Sequence, residues 1–546
     1  MNTAESPSHK EATDPVQLDD RSLAAGLIMI ERPGTEVDGS FREEYRQNPW
    51  GGIILFGKNI AGAEQLRALT ASFQEAAGAQ VPLLIGVDHE GGIVSRFSFP
   101  SITPLCGNMA LGAAGKKEYA YESGRICAFD LRGLGINTNF APCVDVNSNP
   151  LNPIIGARSF GESPQAVAEL GAAYARGLMD GGIIASAKHF PGHGDVSIDT
   201  HSALPAINRS RESLEETELV PFLAVIREGV DMVMTSHITF PALDPSGLPA
   251  TLSRAILTGL LRETLHYEGV IITDSMAMNA IRNGFGYAEA AIMTLETGAD
   301  IAMLCGSREE QLEALEAIVK ALESGRLSRE AFIASYRRIL RLRGKAGDPV
   351  PSESPVSHEK NDGAMKVITE ASITLVKNEG GMLPLTEKAK QDILLVSPSL
   401  FPPSPLGEAH IKPTLARHLE KFAPRVTSLE FDVKSGAHDS EKLAVLAEKA
   451  SAIIYTAFCN GRLPEGQRKI AASLLRHREK LAVASLNSPY VLMDIADVKA
   501  CVNCYNYGDL STDALARVLE GSLNPTGKLP VSLPGLYPLG HSLSYR

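Results

Sequence analysis

Eight short runs of consecutive apolar residues constrain this chain more than any other feature. They are GLIMI (26–30), GIILF (52–56), LLIGVD (83–88), TNFAPCVDV (138–146), IIASAKHF (183–190), MVMTSHI (232–238), VIITDS (270–275) and IAMLC (301–305). A strand with one face in water alternates polar and apolar residues, whereas a strand covered on both faces does not. These runs do not alternate. Amphipathic stretches such as 163–182 and 308–325 lie between them. Eight buried strands with intervening helices predict a (β/α)8 barrel.

The chain is 546 residues long, more than such a barrel needs. Residues 1–20 read as a flexible tail and 21–345 as the barrel. The Pro-, Ser- and charge-rich stretch 346–362 reads as a linker. Over 363–546, DILLVSPS, AIIYTAFC, LAVASLN and ACVNCYNY alternate with helical stretches such as 465–480. That pattern predicts a second α/β domain with a mainly parallel sheet. It carries no G-x-G-x-x-G fingerprint for a nucleotide.

The net charge of −12 disfavours nonspecific nucleic-acid binding, which needs a basic surface. No apolar run approaches the length of a membrane span. The polar start MNTAESPSHK has no apolar signal region, so the expected compartment is the cytoplasm. Seven scattered cysteines do not suggest a disulfide framework. Cys501 and Cys504 form a C-x-x-C, but inside a run that reads as a buried strand.

Polar residues gather just after several barrel runs: Asp88 and His89, Asp145, Lys188 and His189, His237, Asp274. These are the C-terminal strand ends, where the active sites of such barrels form. The densest patch is KHFPGHGDVSIDTH (188–201). Pro191, Gly192 and Gly194 bend it into a loop. Three His, two Asp and one Lys on one loop imply acid–base chemistry or metal binding.

The pattern K-H-[FI]-P-G-x-G-x4-D-[ST]-H in that loop is similar to the signature of family 3 glycoside hydrolases, in their β-N-acetylhexosaminidase branch. VDHEGGIVSRF (87–97) resembles the family's sugar-binding D-x-E-G-G segment. FAPCVDV, ARSFG, MTSHITFPALDP and GVIITDSMAM follow in the family's order, and TLVKNEGGMLPL and NPTGKLPVSLP resemble its second domain. The resemblance covers about residues 20–535. It departs at His89, where the branch commonly has Gln, and at Ile93, where it usually has Arg. Those departures bear on contacts beyond the first sugar.

The resemblance implies a retaining exo-β-N-acetylglucosaminidase that needs no cofactor and no metal. Its substrate would be terminal β-linked N-acetylglucosamine of muropeptide or chitin-type oligosaccharides, and a cytoplasmic member would serve peptidoglycan recycling. Asp274 would be the nucleophile; on position alone it could equally cap the next helix. His201 would be the acid and then the base, oriented by Asp199, since an imidazole titrates near neutrality. Asp88, Arg96, Arg158, Lys188 and His189 would hold the sugar. His193 and Asp195 would stabilise the loop, and His237 would act from behind the site. Four alternatives stay open. They are a phosphorylase using the same His-based dyad, a β-glucosidase, a metal-dependent hydrolase built on His189, His193, Asp195, Asp199 and His201, and a non-catalytic glycan binder. Oligomeric state is not readable from the sequence.

Overall fold

The computed structural model describes residues 14–78, 81–97, 99–197, 204–346, 355–400 and 412–545. All eight apolar runs form strands: β1 (Ile28–Glu31), β2 (Gly52–Leu55), β3 (Leu84–Val87), β4 (Thr138–Asn139), β5 (Ile184–Phe190), β6 (Met232–Thr235), β7 (Val270–Ile272) and β8 (Ala302–Leu304). Neighbours pair in parallel, in the order β7-β6-β5-β4-β3-β2-β1-β8. A parallel bridge between Ile272 and Ile301 brings the two ends together. The sheet thus closes into the expected barrel, with helices such as Pro164–Asp180 and Arg308–Glu323 outside it.

The fourth run is nine residues by sequence but only two in the ladder. Pro142 has no N–H to give to a neighbour. Pairing resumes just beyond it, where Val144 N–H donates to Lys188 O at 2.8 Å.

The second domain is a six-stranded sheet: β9 (Thr374–Asn378), β10 (Ile393–Pro398), β11 (Val426–Phe431), β12 (Ala452–Ala457), β13 (Leu481–Ser485) and β14 (Ala500–Asn503). Its order is β11-β10-β12-β13-β14-β9. Only β9 runs antiparallel, against β14. The edge strand β11 forms no apolar run because two of its six residues, Ser428 and Glu430, are exposed. Cys501 lies buried on β14, and all seven cysteines are free. The helix Pro355–Ser372 begins inside the stretch read as a linker and packs against the barrel helices Asn108–Ala114 and Lys117–Gly133. No helix among the described residues is long and apolar enough to cross a membrane.

Two outer helices, Lys117–Gly133 and Pro164–Asp180, approach through glycines. A methyl group at Gly177 would sit 2.1 Å from the carbonyl oxygen of Tyr121, and one at Gly124 would sit 2.3 Å from that of Tyr174. Alanine is the better helix former by about 1 kcal/mol. The backbone collision outweighs that gain. Gly177→Ala is therefore expected to lower the melting temperature, as read by calorimetry or circular dichroism. An unchanged or raised value would show that the helices can separate at no cost.

Candidate active site

The polar strand ends converge on a cavity of about 330 Å³ at the C-terminal mouth of the barrel. Asp88 follows β3, Lys188 and His189 end β5, and Asp274 lies two residues beyond β7. Arg158 sits on a short 3-10 turn, Gly156–Arg158. Arg96 follows the Gly-Gly turn after Glu90. All six predicted residues line the cavity, and so do Glu90, Phe56, Ile154 and Met303. Asp199 and His201 lie outside the described residues.

Charged side chains fill one wall. Lys188 Nζ donates to Asp88 Oδ1 at 2.7 Å and lies 2.6 Å from Glu90 Oε1. Arg158 grips Glu90 with two parallel bonds of 3.0 and 2.8 Å. Arg96 Nη2 reaches Asp88 Oδ2 at 3.2 Å, and its guanidinium lies 5.3 Å from the centre of the Phe56 ring. Burial alone would raise the Glu90 carboxyl, but Arg158 and Lys188 outweigh it and hold it down to about 2. Asp88 is likewise pulled below the usual carboxylate range, against burial, by Lys188 and Arg96. Burial would lower Lys188, but Asp88 and Glu90 raise it. The wall is therefore fully ionised at neutral pH and presents fixed donors and acceptors to a polyhydroxylated ligand.

Asp145 supports this wall from below. Its Oδ1 accepts the backbone N–H of His189 (3.2 Å) and of His193 (2.7 Å), and its Oδ2 pairs with His189 Nδ1 at 2.7 Å. A carboxylate on Nδ1 fixes the proton there and leaves Nε2 as an acceptor. Nε2 lies 3.4 Å from Arg158 Nη2. His193 also lines the cavity. Burial, helped by His189 alongside, pushes His193 down to about 4, so its ring is neutral at pH 7. Asp195 does serve the loop, through Arg209 at 2.9 Å.

Asp274 is half-buried, and its Oδ1 accepts the N–H of Ser275 at 2.7 Å. His237, on the neighbouring β6 end, pairs through Nε2 with the Ser275 carbonyl at 3.0 Å. It fixes the backbone behind Asp274 and does not line the cavity. His89 and Ile93 also stay out of the cavity. His89 packs edge-on against Phe97 at 4.8 Å. Ile93 is buried in an apolar cluster with residues of the second domain.

Cys143, Asp145 and His189 stand close enough for a shared cation. However, Asp145 is already committed to three N–H groups, burial keeps the Cys143 thiol protonated well above its usual range, and the Arg158 guanidinium lies next to His189. The donors fit a hydrogen-bond network better than a metal.

Sequence reading missed Glu90, which is the hub of the wall. Its signal is the D-x-E-G-G spacing, which places Glu90 two residues after Asp88.

A barrel with an ionised wall in a small cavity at its C-terminal mouth, joined to a six-stranded α/β domain, is an architecture that fits a carbohydrate-active enzyme. Residues 24–342 match the glycosyl hydrolase family 3 N terminal domain, and residues 373–537 match the family's C-terminal domain. The chain belongs to glycosyl hydrolase family 3 and is a glycoside hydrolase. It is 38% identical over 318 residues to beta-hexosaminidase A of Pseudoalteromonas piscicida, a match covering 54% of this chain and 53% of that one. The chain thus spans about half the length of that relative. It is 37% identical over 296 residues to a beta-hexosaminidase of Tolumonas auensis, covering 54% and 86% of the two chains. A solved family 3 beta-N-acetylglucosaminidase from Paenibacillus sp. str. FPU-7 superposes with a TM-score of 0.89 at 37% identity, covering 94% of this chain and 99% of that one.

The charge wall carries a pH signature. A carboxyl held down to about 2 in the fold contributes stability that is full above its unfolded value, near 4.5, and is lost as pH falls between the two. Glu90→Gln should cost about 3–5 kcal/mol at pH 7, the range for breaking a buried ion pair. The deficit against wild type should shrink as pH drops from 4.5 towards 2. Urea titrations across that range would reveal it, and a deficit independent of pH would contradict the ionised Glu90.

Proposed function

We propose that the chain is a retaining exo-β-N-acetylglucosaminidase that acts on terminal β-linked N-acetylglucosamine of muropeptide or chitin-type oligosaccharides. The observation that carries this reading is the placement of Asp274 in the same cavity as the ionised wall of Asp88, Glu90, Lys188 and Arg158. The names of the relatives above support the choice of sugar. The cavity lies at the low end of the range for small-ligand sites, which suits one terminal unit rather than a chain threaded through.

In this reading Asp88, Arg96, Arg158, Lys188 and His189 bind the ring hydroxyls and the amide. Asp274 attacks the anomeric carbon. The glycosidic C–O bond breaks as His201 passes its proton to the leaving oxygen, with Asp199 stabilising the imidazolium before the transfer. A covalent glycosyl ester results. His201, now neutral, takes a proton from water, the water oxygen attacks the anomeric carbon, and the Asp274 carboxylate departs. No metal takes part in either half.

Chromogenic β-N-acetylglucosaminide and β-glucoside test this directly. Wild type should prefer the former and keep full activity in EDTA. Asp274→Ala should lose roughly four orders of magnitude or more in turnover, the scale seen when a nucleophile is removed. His201→Ala should lose activity mainly on substrates with poor leaving groups, because an activated phenol needs no proton. Unchanged turnover in Asp274→Ala would overturn the assignment. Product analysis with and without inorganic phosphate identifies the acceptor.

A further inference from the structure

We propose that the second domain is a clamp that sets the position of Arg158 and Ile154 in the sugar cavity, without lending that cavity a residue. Every cavity-lining residue among those described comes from the barrel, the last being Met303. Arg158 and Ile154 are the lining residues farthest along the chain from any barrel strand, 19 and 15 positions beyond the end of β4 at Asn139. They ride on the segment 147–162, whose only regular structure is the three-residue turn Gly156–Arg158. Such a segment must be fixed from outside if its arginine is to be pre-positioned.

The second domain provides that restraint at four points. Asn147 Nδ2 donates to Tyr490 Oη at 2.8 Å, with both residues buried. The Glu162 N–H donates to Pro530 O at 3.0 Å. Ser532 donates to Glu162 Oε2 at 2.8 Å through both its N–H and its hydroxyl. At Gly156 (φ +44°) even a methyl group would come within 2.9 Å of Asn460 O, so the two backbones are in close contact there.

The segment's other side faces the active site. Asn152 Nδ2 donates to His193 O (2.8 Å) and Gly194 O (3.0 Å), at the base of the His-rich loop. Arg158 itself reaches across to Glu90. A displacement of a few tenths of an ångström at the second domain would therefore be felt at the guanidinium.

This inference rests on reading Arg158 as a sugar ligand, and the test separates the two. Tyr490→Phe and Ser532→Ala would each be measured in the full-length wild type and in an Arg158→Gln background, with chromogenic β-N-acetylglucosaminide. Cys501→Ser, buried on β14 and making none of the four clamp contacts, controls for a general loss of domain stability. Each clamp variant should raise KM about fivefold, the worth of one ordinary hydrogen bond, with kcat little changed. In the Arg158→Gln background the same variants should raise KM by clearly less, because only the Ile154 contribution remains. Cys501→Ser should lower the melting temperature and leave KM alone.

Equal KM increases in both backgrounds, a matching rise in Cys501→Ser, or no rise in either clamp variant would overturn the clamp while leaving the sugar site standing. Unchanged KM in Arg158→Gln by itself would overturn the ligand reading and the clamp with it.

Discussion

Lys188 reaches two carboxylates at once, 2.7 Å from Asp88 and 2.6 Å from Glu90, in a place almost closed to water. Burying a charge costs several kcal/mol, and only complete pairing offsets it. That requirement governs the upper half of the barrel. Asp88 ends β3 and Lys188 lies in β5, so the lysine must pass over β4, which separates them in the sheet. The backbone of Lys188 is itself fixed against the β4 segment, its N–H donating to Pro142 O at 3.1 Å and its carbonyl accepting from Val144 N–H at 2.8 Å. The register of three strands and the conformation of the segment carrying Arg158 must all be right together, or a charge is left unpaired. The same pairing prepares the site for a sugar, because the donors and acceptors are already oriented before a ligand arrives.

One carboxylate performs a similar service for the backbone. Asp145 is wholly buried and takes two N–H groups and one imidazole, which ties β5 to the start of the His-rich loop. It also selects the tautomer of His189, so the ring nitrogen facing Arg158 is an acceptor. A carboxylate behind the cavity wall thus decides which kind of partner the cavity-lining His189 can take.

The barrel was legible because strands buried on both faces need unbroken apolar runs, and eight such runs are hard to misread. The edge strand β11 was not legible, since Ser428 and Glu430 point to water and break the run. The helix starting at Pro355 was hidden for a similar reason: its first turns are proline, serine and charge, and its packing against the barrel helices lies beyond local propensity. At the site, Asp88, Lys188, His189, Arg158, Arg96 and Asp274 were found from position and motif, and the fold brings them together. Glu90 was passed over because its role is set by two cations that approach from distant parts of the chain, 68 and 98 positions further on. The spacing around His193 marks a loop position, and that the residue also lines the cavity depends on packing that spacing does not show.

The two aspartates that face the cavity show how one fold gives the same side chain two uses. Asp88 is bracketed by Lys188 and Arg96, which hold it ionised and stabilise its charge. A carboxylate so stabilised is a firm hydrogen-bond acceptor and a poor nucleophile, because attack would require it to give up those partners. Asp274 has no ion pair among the described residues. What orients it is the N–H of Ser275, whose carbonyl is held by His237 from the next strand. Its electron pair is aimed without being neutralised. Carboxylates placed in contrasting environments take on different chemistry, and in the proposed mechanism that contrast separates Asp88, the sugar ligand, from Asp274, the nucleophile. The orientation of Asp274 is borrowed from the end of β6, where His237 holds the carbonyl of the residue whose N–H aims the carboxylate.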